Sequence, residues 1–225
     1  MSTAAVIELD LEGVVLGWVA AEGCVAGPSS PALLEEVRRA AESAVADRES
    51  PRSLVLKAAV RGLLRFGAYK PTGRGKPASE YLLKAAAEET FPVVNALVDI
   101  NNLVSVESLL PISLADLDRA GTCRFRCRRG REGESYVFNP SGQVLDLRDL
   151  ILLSRLPGDE PCATPVKDSQ ATKTHAGSTR VLGVIYAPAS LAREAGEAAE
   201  RMGDLLARHA GASVCWGLLP PAGHG

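Results

Sequence analysis

The sequence predicts an α+β fold, because strand-like segments, helical segments, a second cluster of strands and a closing helix follow one another without βαβ alternation. Residues 6–9 and 14–19 open the chain as strands, with β-branched and apolar residues gathered between short polar breaks. Ser30 and Pro31 then mark a helix start, a side-chain cap followed by a first-turn proline. Leu33, Leu34, Val37, Ala40, Ala41 and Ala44 recur behind them at helical spacing. A second helix is expected over 53–66, with Leu56, Ala59, Leu63 and Phe66 along one side, and a third over 79–89, stopped by Phe91 and Pro92. A fourth spans 94–109, where Asn101 and Asn102 are expected to cap or kink it, since short amides bond back to the backbone.

From Thr122 the period changes. Cys123, Phe125 and Cys127 alternate with arginines, as in a half-buried strand. Short strands follow over 135–138, 143–147 and 150–154, with turns at 139–142 and at Pro157-Gly158. Residues 181–186 are apolar throughout and predict a central strand. Residues 190–209 predict an amphipathic helix that buries Leu191, Ala195, Ala198, Met202, Leu205 and Leu206. A last strand over 212–219 precedes a tail, 220–225, expected to fray; Trp18 and Trp216, both in apolar strands, are expected in the core.

With 225 residues and 46% hydrophobic content, the chain suits one globular domain over 1–225 and not a disordered one. No apolar run approaches the roughly 18 residues of a membrane span. The first ten residues carry acids and no basic n-region, so the expected location is the cytoplasm. Cys24, Cys123, Cys127, Cys162 and Cys215 are odd in number and scattered among only three histidines, so neither a disulfide framework nor a metal site is expected. No Gly-rich phosphate loop or dinucleotide fingerprint occurs, so no cofactor is expected either.

The net charge of −2 does not by itself point to nucleic acid, but its distribution is uneven. Arg52, Lys57, Arg61, Arg65, Lys70, Arg74, Lys76 and Lys84 face the single acid Glu80 within 51–84. Arg119, Arg124, Arg126, Arg128, Arg129 and Arg131 form a second basic stretch. Such asymmetry builds a basic face on a near-neutral protein, or else simply solvates helix faces. Two irregular segments add polar groups. The loop over 67–77 carries Tyr69, Lys70, Arg74 and Lys76, and the stretch over 157–178 carries Thr164, Lys167, Asp168, Ser169, Thr172, Lys173, Thr174 and His175. A stretch beyond about 12–15 residues without regular structure is commonly functional or disordered.

The segment 95–118, with Val98-Asp99-Ile100-Asn101-Asn102, then Pro111, then Asp116 and Asp118, resembles the editing (B3/B4) domain of the phenylalanyl-tRNA synthetase β chain and its free-standing relatives. Arg65, Tyr69-Lys70 and Pro77-Ala78-Ser79-Glu80 upstream are similar to elements of the free-standing group, as are Lys167-Asp168-Ser169, Thr172-Lys173 and Thr179 downstream. The likeness covers roughly 10–188, is strongest over 50–188, and extends loosely over the final helix.

The resemblance implies a layered, β-sandwich-like core with helices packed outside, and a hydrolase that deacylates mischarged aminoacyl-tRNA without ligase chemistry. In that reading Lys167 and Asp168 are the catalytic pair, with Lys167 supplying positive charge and Asp168 gripping the substrate ammonium. Asn102, Pro111, Ser113, Thr164, Ser169, Thr172, Val184 and Ile185 contact the aminoacyl group. Arg65, Tyr69, Lys70, Arg74, Lys76 and Lys173 follow the tRNA acceptor end. Two positions depart from the family. Ser113 stands where a histidine is usual, and Val184 or Ile185 stands where a glutamate reads the tyrosine hydroxyl. A site that loses such an acceptor loses its selection for the hydroxyl, so tyrosine specificity is not expected. The alternatives are a non-catalytic tRNA- or RNA-binding module and a binder of free amino acids or of a protein.

Overall fold

In a computed structural model that describes residues 5–221, the apolar run around Val184 becomes strand β9 (Arg180–Pro188), whose side chains part by alternation into two cores. Leu182, Val184 and Tyr186 enter one core; Val181, Ile185 and Ala187 enter the other. β9 lies between β2 (Val14–Glu22) and β3 (Ile112–Asp116), and β10 (Ser213–Leu219) closes the far side of β2, all antiparallel. A second sheet runs in the order β1 (Val6–Leu9), β4 (Arg124–Arg129), β7 (Ile151–Arg155) and β8 (Glu160–Ala163). Phe125, Cys127, Ile151, Leu153 and Cys162 of this sheet meet Leu16, Val184 and Tyr186 of the first, so the two sheets form a sandwich.

The helices cover the outer face of the first sheet. These are α1 (Pro31–Ala46), α2 (Pro51–Leu64), α3 (Ala78–Ala87), α4 (Ala96–Ser108) and α6 (Ala192–Ala210), with a short α5 (Leu117–Ala120) after β3. Leu33, Leu97, Leu103, Met202 and Leu205 fill that core against Val15, Ile112 and Ile185. α6 lies close on β2 because Gly17 faces it; a Cβ there would stand 2.6 Å from the Ala195 carbonyl oxygen. A hairpin of β5 (Ser135–Val137) and β6 (Val144–Asp146) covers a third, smaller cluster of Tyr136, Leu147, Leu150, Leu152 and Val166. The fold is thus α+β in layers, with the helices gathered on one side. Among the described residues no helix is long and apolar enough to cross a membrane.

Several expected elements form where local chemistry is decisive. Ser30 accepts Leu33 N and caps α1, and Ser50 accepts Ser53 N and caps α2. Asn101 and Asn102, by contrast, do not cap α4: they sit inside it, Asn95 caps it, and Leu109 ends it at φ 58°. β8 lies within a stretch expected to have no regular structure, where Pro161 hid it; an edge strand tolerates proline. Trp216 is not core. It lies over Gly203 of α6 on the edge strand and stays 44% exposed, while Trp18 is half-buried. Of the tail expected to fray, residues 222–225 lie outside the described residues.

Four of the six arginines in the second basic stretch are spent on ion pairs. Arg124 and Arg126 meet Glu8, and Arg128 and Arg131 both meet Glu134 and Asp159. Arg128 is the buried member, with a side chain only 7% exposed. Burial pulls Asp159 up, but bonds from Ser154, Arg128 and Arg131 outweigh it and hold the carboxyl at about 2. Arg128→Met should therefore destabilise the fold near neutral pH by about 3 kcal/mol, the low end for a broken buried pair because the acids are partly wet. A depressed carboxylate contributes above its unfolded value, so the deficit should shrink as pH falls from about 4 toward 2. Urea titrations of both proteins across that range check this; a deficit independent of pH would rule out the ion pairs as its source.

Candidate functional site

Helical spacing explains why Val98, Asn101 and Asn102 act together. At i, i+3 and i+4 they share one face of α4, and that face lines a cavity of about 410 Å³. Asp99 and Ile100 turn inward. The Asp99 carboxylate is buried and structural, accepting Ser29 Oγ at 2.6 Å and Val94 N at 2.8 Å. Ile112 and Leu114 of β3 form the floor, Ala78 the start of α3, and Phe138 and Asn139 the tip of the hairpin. The remaining wall is Thr164, Val166, Lys167, Asp168, Lys173 and Thr174.

That wall is fixed despite its irregular backbone. The Thr164 hydroxyl donates to the Lys167 carbonyl at 2.8 Å and accepts Lys167 N at 3.0 Å, closing a tight local turn. Tyr136 OH donates to the same carbonyl, and Ala78 N donates to the Pro165 carbonyl at 2.9 Å, which ties the turn to α3. Asp116 N donates to the Thr172 carbonyl at 2.8 Å, so the segment continues as a rim along the free edge of β3.

The electrostatics are uneven within a few residues. Asp168 Oδ2 accepts Leu114 N at 3.1 Å; Oδ1 is enclosed, and although Ser113 and Thr164 N lie near the carboxylate, neither completes a hydrogen bond to it. Burial raises this carboxyl to about 6, with Leu114 N, Ser113 and the Lys173 charge only partly offsetting it. Asn101 Nδ2 approaches Asn102 Oδ1 at 3.4 Å, and Asn101 Oδ1 is likewise enclosed without a partner. Lys167 Nζ lies 4.0 Å from the centre of the Phe138 ring, and burial, then repulsion from Arg74 and Lys173, lower its pKa. Lys173 Nζ donates to the Phe138 carbonyl at 2.6 Å. Phe138 thus carries one ammonium on its ring and one on its backbone.

Of the residues expected to bind substrate, Asn102 and Thr164 line the cavity, as do Lys167, Asp168 and Lys173. The others do not. Val184 points into the sandwich core, and Ile185, on the correct face, is screened by its cross-strand neighbour Ile112. Ser113 is buried between the Tyr186 hydroxyl, 2.9 Å away, and the Thr164 carbonyl. Pro111 is buried, and its carbonyl accepts Tyr186 N. Thr172 donates to the Cys162 carbonyl, and Ser169 Oγ accepts Ala171 N; both are buried in the loop.

Among the residues assigned to tRNA, Tyr69 is a strut. It is half-buried, its hydroxyl donates to the Gly75 carbonyl at 2.7 Å, and burial pushes the phenol up to about 12. Arg65, Lys70, Arg74 and Lys76 differ from their neighbour Arg61, which Glu80 holds in two hydrogen bonds. Among the described residues none of these four, nor Lys167 or Lys173, has a carboxylate within 4.0 Å. Arg74 lines a second depression of about 600 Å³ with Tyr81, Phe138 and Lys167. His175 stays outside the cavity, with Nε2 3.4 Å from Asp116, and His209 bonds to Glu36.

Val98, Asn101, Ile112, Leu114, Phe138, Asn139 and Val166 were not expected as site residues. The helical period would have grouped Val98 and Asn101 with Asn102. Nothing local could have found Ile112 or Leu114, because they reach the cavity through an unanticipated strand. Comparison with protein-family models gives no match, and no curated protein matches the chain.

Proposed function

We propose that this cleft hydrolyses the ester of a mischarged aminoacyl-tRNA, acting in trans and without selecting tyrosine. The observation that carries this reading is the union, in one cavity, of an enclosed carboxylate, aliphatic walls and a cationic rim, contributed by segments far apart in sequence. The similarity to B3/B4 editing domains supports it, because residues of the segments carrying that similarity, 98–102 and 165–173, line the same cavity. The cytoplasm is the natural setting, since charged tRNA is there.

The chemistry asks little of the protein. An aminoacyl ester is already activated, so catalysis needs orientation and charge stabilisation. In this reading Asp168 holds the α-ammonium, the side chain rests on Val98, Ile112, Leu114 and Val166, and Lys167 faces the developing oxyanion or the terminal phosphate. Water attacks the ester carbonyl carbon and the bond to the ribose oxygen breaks. One proton passes to that oxygen and the other to solvent, which leaves a free amino acid and a ribose hydroxyl. The vicinal ribose hydroxyl is placed to organise the water. A size of about 410 Å³ falls within the range of small-molecule sites, roughly 300–1,000 Å³.

The test is a panel of charged tRNAs incubated with the purified chain. Accelerated deacylation is expected for aliphatic residues; no acceleration for any pair overturns the hydrolase reading, and tRNA binding without ester loss would favour a non-catalytic RNA module. The rim makes a separate prediction. Arg74→Gln, Lys167→Gln and Lys173→Gln should each flatten the dependence of log K on log salt by about 0.7 if the cation contacts a single-stranded acceptor end. An unaltered slope in all three variants would remove the rim from the RNA path.

A further inference from the structure

We infer that Asn101 and Asp168 together form an ammonium clamp, so that the cleft takes acyl groups with a free α-amino group and an aliphatic side chain and refuses N-acylated or α-hydroxy analogues. This rests on the aminoacyl reading of the cleft and adds to it a residue and a rule of exclusion.

The two side chains reach the cavity from different elements, α4 and the loop after β8, and each brings one oxygen that is enclosed and unpaired. Buried acceptors without donors are rare and costly, and two along one cavity point to a donor that arrives with a ligand. An ammonium suits the pair: it offers three donors and a positive charge, whereas a hydroxyl offers one and an N-acyl amide offers one with added bulk. The torsion that orients the Asn101 amide is soft, so its oxygen can swing toward a donor, while the Leu114 N bond to Oδ2 fixes the plane of the Asp168 carboxylate.

Two of the other polar side chains nearby are already engaged, whereas Asn102 and Thr174 also line the cavity. Thr164 uses its hydroxyl within its own turn, and Asn139 is engaged with Ser141 and Gln143. Lys167 and Lys173 repel a cation, which turns the ammonium away from the rim and toward Asn101. Ala78, Val98, Ile112, Leu114 and Val166 then meet the rest of the acyl group with carbon alone.

L-Leucinamide, N-acetyl-L-leucinamide and the corresponding α-hydroxy amide test this by calorimetry, because each presents the acyl group without tRNA. The clamp predicts that leucinamide binds and that both analogues bind at least about tenfold more weakly. Asn101→Ala should cost about tenfold in leucinamide affinity without lowering the melting temperature, since it removes an unsatisfied group from a helix that alanine favours. Asn101→Asp, which keeps an oxygen in place, should retain binding. Equal affinity for the three amides, no leucinamide binding, or an Asn101→Ala variant with unchanged affinity would each overturn the clamp. The deacylation panel reads the other claim separately. Leucinamide binding with no ester loss would end the hydrolase reading and leave the clamp standing. Equal hydrolysis of free and N-acetylated leucyl-tRNA would do the reverse.

Discussion

Asp168→Asn should lower function and raise stability at once. The substitution keeps an oxygen for Leu114 N, which Asp168 Oδ2 now accepts at 3.1 Å, and removes only the charge. Burial holds the native carboxyl at about 6, above its ordinary 3.8. A carboxyl raised on folding favours the neutral protein, so its cost is absent below about 4, builds as pH climbs, and is complete above about 6. The variant should therefore match the parent at pH 4 and exceed it at pH 7.5 by about 1–3 kcal/mol in urea unfolding. Deacylation should fall by roughly 10- to 100-fold, the worth of a hydrogen bond to a charged group. In the parent, binding of an ammonium ligand should weaken as pH drops through about 6. A variant that is less stable at pH 7.5 would mean that the carboxylate holds the loop and not a ligand.

Opposite signs for stability and activity are what a buried charge kept for a ligand produces. The same chain shows the contrasting case. Arg128 is also buried, but Glu134 and Asp159 complete it within the fold, so its removal has no functional gain to offset the loss. An enclosed polar group completed by neighbours belongs to the architecture. One left incomplete beside a cavity belongs to the site.

How much of this could be read from the residues alone follows the range of the interactions. Ser30, Pro31 and the spacing of Leu33 and Val37 specify α1 within a few residues, and the apolar run from Val181 to Tyr186 specifies a strand buried on both faces. Sheet order was not legible. β1 pairs in parallel with β4, matching Val6 with Arg124, and no local pattern encodes a partner so distant. The candidate site divides the same way. Lys167 and Asp168 stand out as a polar pair in a long irregular stretch, and the structure sets them on a cavity. Val184 and Ile185 were placed there by analogy with a glutamate position, but strand geometry decides otherwise. β3 intervenes, so the aliphatic floor is Ile112 and Leu114. The basic loops needed the fold as well. Six arginines in 119–131 read in sequence as a basic face or a merely solvated one, and in the fold Glu8, Glu134 and Asp159 pair with four of them, Arg124, Arg126, Arg128 and Arg131.

Val184→Glu and Val98→Glu should separate the two candidate walls by more than any other pair of substitutions. Val184 is fully buried in the sandwich, paired across β9 with Trp18 on one side and Ser113 on the other. A glutamate there forfeits about 2 kcal/mol of apolar burial and must hide an unpaired carboxylate at a further cost of several kcal/mol. That total rivals the roughly 5–15 kcal/mol that holds a domain together, so the variant should fail to fold at pH 7.5 and recover partly in acid, where the carboxyl is neutral. Val98 is half-buried at the cavity on a rigid helix, so a glutamate there can stay wet. Val98→Glu should fold, lose aliphatic aminoacyl groups as substrates, and gain relative preference for side chains bearing a donor. Circular dichroism and the deacylation panel read the two outcomes. A folded Val184→Glu protein with altered acyl preference, beside a Val98→Glu protein with none, would put the pocket inside the sandwich and remove α4 from the site.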